Sequence, residues 1–146
     1  RHPPRSTLFP YTTLFRSHGE SVKPVWQFVA DLKEAGLRSG FLIHNEDHME
    51  MAHTFGSHGV QVAEGFDLHM IQICKPEKAA GSLQKNPERA ALMPKFVTVF
   101  SAEGRTQVRF LRFNKQMIEA LVQDAEFATS VGSTYDEIEQ AIKDSL

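Results

Sequence analysis

Five of the seven histidines fall within 26 residues: His44, His48, His53, His58 and His69, with Met49, Met51, Met70 and Cys74 interleaved among them. Imidazole, thioether and thiolate are the donors that suit copper, zinc and nickel. His44 and His48 are four apart, and on a helix that spacing stacks two imidazoles on one face within reach of one ion. A zinc site takes three or four protein ligands. His53 and a strand-borne His69 complete the candidate set, with Glu46, Asp47 and Met49 as further donors. The local order is His-Asn-Glu-Asp-His and not HExxH. The candidate metal residues are thus His44, His48, His53 and His69, and the candidate ion is copper or zinc. The competing reading is a solvated helix start that carries one half-buried histidine.

Cys74 is the second chemical candidate. As the single cysteine it excludes an internal disulfide and any all-cysteine metal site. It stands just before Lys75-Pro76-Glu77, which opens a helix, and the positive helix end with Lys75 and Lys78 would favour a thiolate. This placement suits a sulfur carrier, a redox thiol with His69 as its base, or a soft metal ligand. A small buried hydrophobe is the alternative. Arg105, Arg109 and Arg112 read mainly as a solvated strand face, with Arg109 facing an acidic ligand or Asp67. Gly36-x-x-x-Gly40 lacks the Lys-Ser/Thr of a phosphate loop, and nothing marks a nucleophile elbow.

These residues depend on a chain that alternates helices and strands. Val25, Phe28, Val29 and Leu32 predict an amphipathic helix between Pro24 and a stop at Gly36. Gly40–Ile43 is a short strand. Asn45 reads as the N-cap of a helix of about eleven residues ending at Gly56. Val60–Cys74 reads as a long strand with a bulge at Glu64-Gly65. A helix from Pro76 is broken at Asn86-Pro87. Lys95–Ser101 and Arg105–Phe113 form a hairpin through Ala102-Glu103-Gly104. Two further helices cover 115–127 and 135–145, the second opened by a Thr134-Tyr-Asp-Glu137 capping box. The order α-β-α-β-α-β-β-α-α, ending its sheet in a hairpin, predicts an α+β two-layer sandwich. Its sheet is antiparallel or mixed, with helices on one face. The open face then suits pairing with a second copy, giving a homodimer.

The first seventeen residues stand apart. They hold three Arg and no acid, and Ser6–Ser17, STLFPYTTLFRS, resembles a translated sequencing adapter. On that reading residues 1–17 are a non-native, disordered leader and 18–146 form one domain, whose native leader is lost. The whole chain has 16 basic and 18 acidic residues, net −2; without Arg1, Arg5 and Arg16 the balance is 13 against 18, net −5. No clustered basic surface for nucleic acid is evident, and no apolar run reaches the ~20 residues that span a bilayer. Cytoplasm and periplasm both remain open.

The stretch Ile73-Cys74-Lys75-Pro76, an Ala-rich helix broken at Asn86-Pro87, Leu92-Met93-Pro94, then the strand Phe96–Phe100 and a hairpin resemble the bacterial family called "domain of unknown function 302", over roughly 22–113. The resemblance implies a compact, often dimeric α+β domain with no established reaction. Lys75 stands where the family has Asn, and Met93 separates Leu92 from Pro94. The helices after Asn114 lie outside the usual domain. The family starts with a strand where this chain has its adapter-like leader, so a first strand is expected to be missing. Together these readings predict a non-enzymatic metal- or small-ligand-binding domain. The alternatives are thiol chemistry at Cys74, or an assembly module without chemistry.

Overall fold

Alternation along the hairpin strands sets the sheet. The computed structural model describes residues 8–12 and 16–146. Strand β5 (Lys95–Ala102) pairs antiparallel with β6 (Arg105–Leu111) across a two-residue turn. Both turn residues have positive φ, Glu103 at 54° and Gly104 at 73°, as a type I′ turn requires. Val97, Val99, Val108 and Phe110 point to one face and are buried, while their neighbours in sequence are not.

Strand β4 (Leu68–Cys74) pairs with β5, and the two-residue β3 (Leu42–Ile43) closes that side. On the other side β6 pairs with β2 (Arg16–Ser21), and β2 with β1 (Leu8–Thr12). The six strands lie in the order β1-β2-β6-β5-β4-β3, every pairing antiparallel. A strand therefore does precede the first helix. Its inward residues Ser17, Gly19 and Ser21 are small and buried, and Ser21 Oγ donates to the Leu146 carbonyl at 2.7 Å. The expected disorder of the leader does not extend to Leu8–Thr12 or Arg16–Ser17, which lie in strands; residues 1–7 and 13–15 are outside the described residues.

Helices cover the inward face. Helix α1 (Val25–Arg38) buries Val25, Phe28, Val29, Leu32, Ala35 and Gly36. Gly36 is not its stop: it lies inside the helix, against Ile73 and Phe41, and the chain turns at Gly40, with φ at 86°. The helix expected after Asn45 begins six residues later, as α2 (Met51–Ser57) capped by the Glu50 carboxylate. Asn45 instead is buried and bridges to β4, donating to the Met70 carbonyl (2.8 Å) and accepting from Gln72 N–H (2.9 Å). The long strand expected over 60–74 is confined to β4. The preceding residues turn at Gly65, with φ at 86°.

Helix α3 (Pro76–Lys85) and a 3₁₀ helix (Pro87–Leu92) lead through a cis Met93–Pro94 peptide into β5. The terminal helices divide as α4 (Lys115–Val122) and one long α5 (Ala125–Ser145), not as 115–127 and 135–145. Asp124 caps α5 by accepting from Phe127 N–H, and Thr134 is buried in mid-helix. The apolar positions of α5 recur on one face from Phe127 to Ile142. Among the described residues no helix is long and apolar enough to cross a membrane.

Candidate functional site

Helices α3 and α5 run in opposite directions with a gap between them. At one end Lys78 Nζ donates to Thr134 Oγ1 (2.5 Å); at the other Lys85 Nζ reaches Glu126 (3.4 Å). Seven residues of helix separate these levels, about 10 Å at 1.5 Å per residue. The slot is a cavity of about 520 Å³, within the size range of small-molecule sites. Ala79, Leu83, Phe127 and Val131 line its length, with Ala90 and Met93 beyond.

Polar groups gather at the Lys78 end. His44, Cys74, Lys75, Lys78, Lys95 and Thr134 all line the cavity there. His44 follows β3, Cys74 ends β4 and Lys95 opens β5, so adjoining strand ends deliver them together. His44 Nε2 lies 2.5 Å from Cys74 Sγ. Burial pushes the Cys74 thiol above its ordinary pKa, and the nearby Lys95 charge opposes that only in part. The thiolate expected from the helix end is therefore not the dominant form.

Lys95 shares the inward face of β5 with Val97 and Val99, and its ammonium lies 6.0 Å from the Tyr135 ring centre. Burial lowers its pKa first; the Cys74 thiolate form opposes the shift, and Lys78 adds to it. Lys75 is paired with Glu137 at 2.9 Å and sits over the Phe41 ring at 5.0 Å.

The predicted metal residues are dispersed. His44 contacts Cys74; His48 is exposed beside Asp47 (2.7 Å); His53 is exposed on α2. His69 is largely buried on β4, with Nδ1 3.8 Å from Asp67. Among the described residues no three His, Cys, Asp or Glu side chains assemble for a metal ion. His69 is also not the base beside Cys74: five strand residues, about 16 Å along β4, separate them, and His44 takes that place. Arg109 lies over the Phe100 ring at 5.2 Å and donates to Gln107. Arg112 bridges Asp136 (3.0 Å) and Glu139 (2.7 Å) on α5.

The slot itself was missed by sequence reasoning. Its signal was present in Lys95, at an inward position of an otherwise apolar strand face. The α5 wall has no such signal, because Thr134 begins a stretch that fits a capping box although it lies inside the helix.

The fold and cavity define a small α+β domain, a six-stranded antiparallel sheet under a helical layer, with a largely apolar slot whose ionisable groups lie at one end. The family model described as "Domain of unknown function DUF302" matches residues 18–145. The chain belongs to this family, and the match includes the two terminal helices expected to lie outside it. Among solved structures, the crystal structure of an uncharacterized conserved protein DUF302 from Bacillus stearothermophilus is similar. It has a TM-score of 0.69 at 15% identity, covering 90% of this chain and 97% of that one. At that identity the likeness speaks for the fold alone. No curated protein matches the chain.

Proposed function

We propose that the protein is a non-enzymatic binding domain that takes a small, largely apolar ligand into the slot between α3 and α5. The observation that supports this is the cavity: about 520 Å³, largely apolar along its walls, with its lysines, His44 and Cys74 at one end. A few convergent polar groups on an apolar wall fix a ligand's orientation while the wall supplies most of the binding energy. The test uses phenylnaphthylamine, a neutral apolar fluorophore. It should bind the wild type with enhanced fluorescence, and Ala79→Trp, which fills the slot, should abolish binding. Failure of the fluorophore to bind, or equal binding by Ala79→Trp, refutes the reading.

A second reading, thiol chemistry at Cys74, is supported by the His44–Cys74 contact. An imidazole there can accept the thiol proton as a reagent approaches. Iodoacetamide should then alkylate native Cys74, and His44→Ala should slow the reaction. A thiol that stays inert until the protein unfolds rules this reading out. Metal binding by His44, His48, His53 and His69 has less support, since the described histidines do not converge. We also propose a homodimer formed through the outward sheet face, where Met70 and Leu111 are 38% and 49% exposed. Sedimentation should show a dimer that Met70→Glu with Leu111→Glu dissociates; a wild-type monomer at high concentration refutes it.

A further inference from the structure

We propose that the ligand of this slot is an amphiphile with one anionic, carboxylate-type head, the head held between Lys78 and Lys95 and the apolar body lying toward Leu83 and Phe127. This rests on the cavity reading above and names its ligand class.

Charge carries the first half. The lining contains three lysines and no Asp or Glu, although acids outnumber bases in the chain by 18 to 16. Lys75 is neutralised by Glu137. Among the described residues, neither Lys78 nor Lys95 is in an ion pair with a carboxylate. Lys78 donates to the neutral Thr134 hydroxyl, and Lys95 faces Lys78 and the Tyr135 ring. The two ammonium groups repel each other, and the buried one, Lys95, also loses hydration; a carboxylate between them offsets both costs.

Direction carries the second half. Helix α3 proceeds from Lys78 to Ala79, Ser82 and Leu83 while α5 returns from Thr134 to Val131, Ser130 and Phe127. Beyond the lysines the two helix walls offer only the Ser82 and Ser130 hydroxyls to a further polar group, and Ser82 Oγ already accepts from Arg89 (3.0 Å). The slot therefore suits one charged end and one apolar end, over about 10 Å of helix length.

The test is displacement of bound phenylnaphthylamine by decanoate, decanol and decyltrimethylammonium, each below its micellar concentration. Decanoate should compete about tenfold better than decanol, as one charge-assisted hydrogen bond implies, and decyltrimethylammonium should compete least. Lys95→Met and, separately, the exposed-site variant Lys78→Ala should each lower the ratio of decanoate to decanol affinity about tenfold. Decanol matching decanoate on the wild type overturns the anionic assignment, as does undiminished decanoate affinity in both lysine variants. Failure of the cavity reading is distinguishable: the fluorophore itself then does not bind, or binds Ala79→Trp equally.

Discussion

Replacing Gly36 by Ala should stabilise the protein, even though this glycine looks like a helix terminator. Gly36 lies in the penultimate stretch of α1, buried against the sheet, and its φ is not positive. A Cβ built there meets Ile73 Cδ1 and Phe41 Cβ, each at 3.5 Å, which is ordinary van der Waals contact. Alanine restricts the unfolded chain and favours helix by about 0.5–1 kcal/mol over glycine. The buried methyl adds up to about 0.8 kcal/mol, offset by the adjustment of Ile73. A net gain of about 1 kcal/mol should raise Tm by roughly 3 °C for a domain of this size. Gly40→Ala is the control. There φ is 86°, and an L side chain should lose about 1–2 kcal/mol. Urea unfolding followed by far-ultraviolet circular dichroism reads both. If Gly36→Ala destabilises by more than about 1 kcal/mol with an unchanged m-value, the contact with Ile73 is not accommodated and the packing argument fails.

The N-cap of α5 gives a pH prediction. The Arg89 guanidinium donates to Asp124 at 2.8 and 3.2 Å, and Phe127 N–H and Asn86 add to it, holding that carboxyl well below the usual carboxylate range. A depressed carboxyl stabilises the fold above its unfolded value near 3.9, and that stability is lost as pH falls. Arg89→Met should therefore lower stability at neutral pH and flatten the decline below about pH 4; an acid limb as steep as wild type contradicts this. For Cys74, burial first and Lys95 second set the pKa. The pH midpoint of iodoacetamide alkylation should lie above that of a free thiol, and Lys95→Met should move it higher; a midpoint below the free-thiol value refutes the assignment. At the hairpin, Glu103 occupies a left-handed conformation that Asn tolerates better. Glu103→Asn should add a few tenths of a kcal/mol, read in the same urea titration; a loss would argue against a type I′ turn. Zinc titration by calorimetry should give the same weak binding for wild type and for His44→Ala with His48→Ala. Tight binding lost in the variant would restore the histidine site.

Much of the fold was legible because its signals are local. The hairpin announced itself through alternating Val97, Val99, Val108 and Phe110 around Glu103-Gly104, and α1 through Val25, Phe28, Val29 and Leu32. The misreadings came where a side chain has two structural uses. Asn45 has the residue type and place of a helix cap, yet its amide satisfies two backbone groups of β4 instead. Thr134 begins a sequence that fits a capping box, but Asp124 already caps the helix ten residues earlier. The box residue Glu137 reaches out to Lys75. Local propensity was overruled in each case by a partner distant in sequence.

The candidate site was harder to read for a related reason. The histidine cluster is dense in sequence, but a strand end, a turn, a helix and a strand face send its members in different directions. The slot has the opposite character. Its residues are sparse in sequence, with Thr134 56 positions beyond Lys78, and Cys74 pairs with a histidine 30 positions away. Only the pairing of β3, β4 and β5 brings His44, Cys74 and Lys95 to one edge, and only the antiparallel course of α3 and α5 gives that edge an apolar extension. A motif search weights residues close together on one element. Here the chemistry belongs to the joint between three strand ends and two helices, so variants that shift the joint, such as a bulky residue at Gly36 behind Ile73, should alter ligand binding without touching the cavity lining.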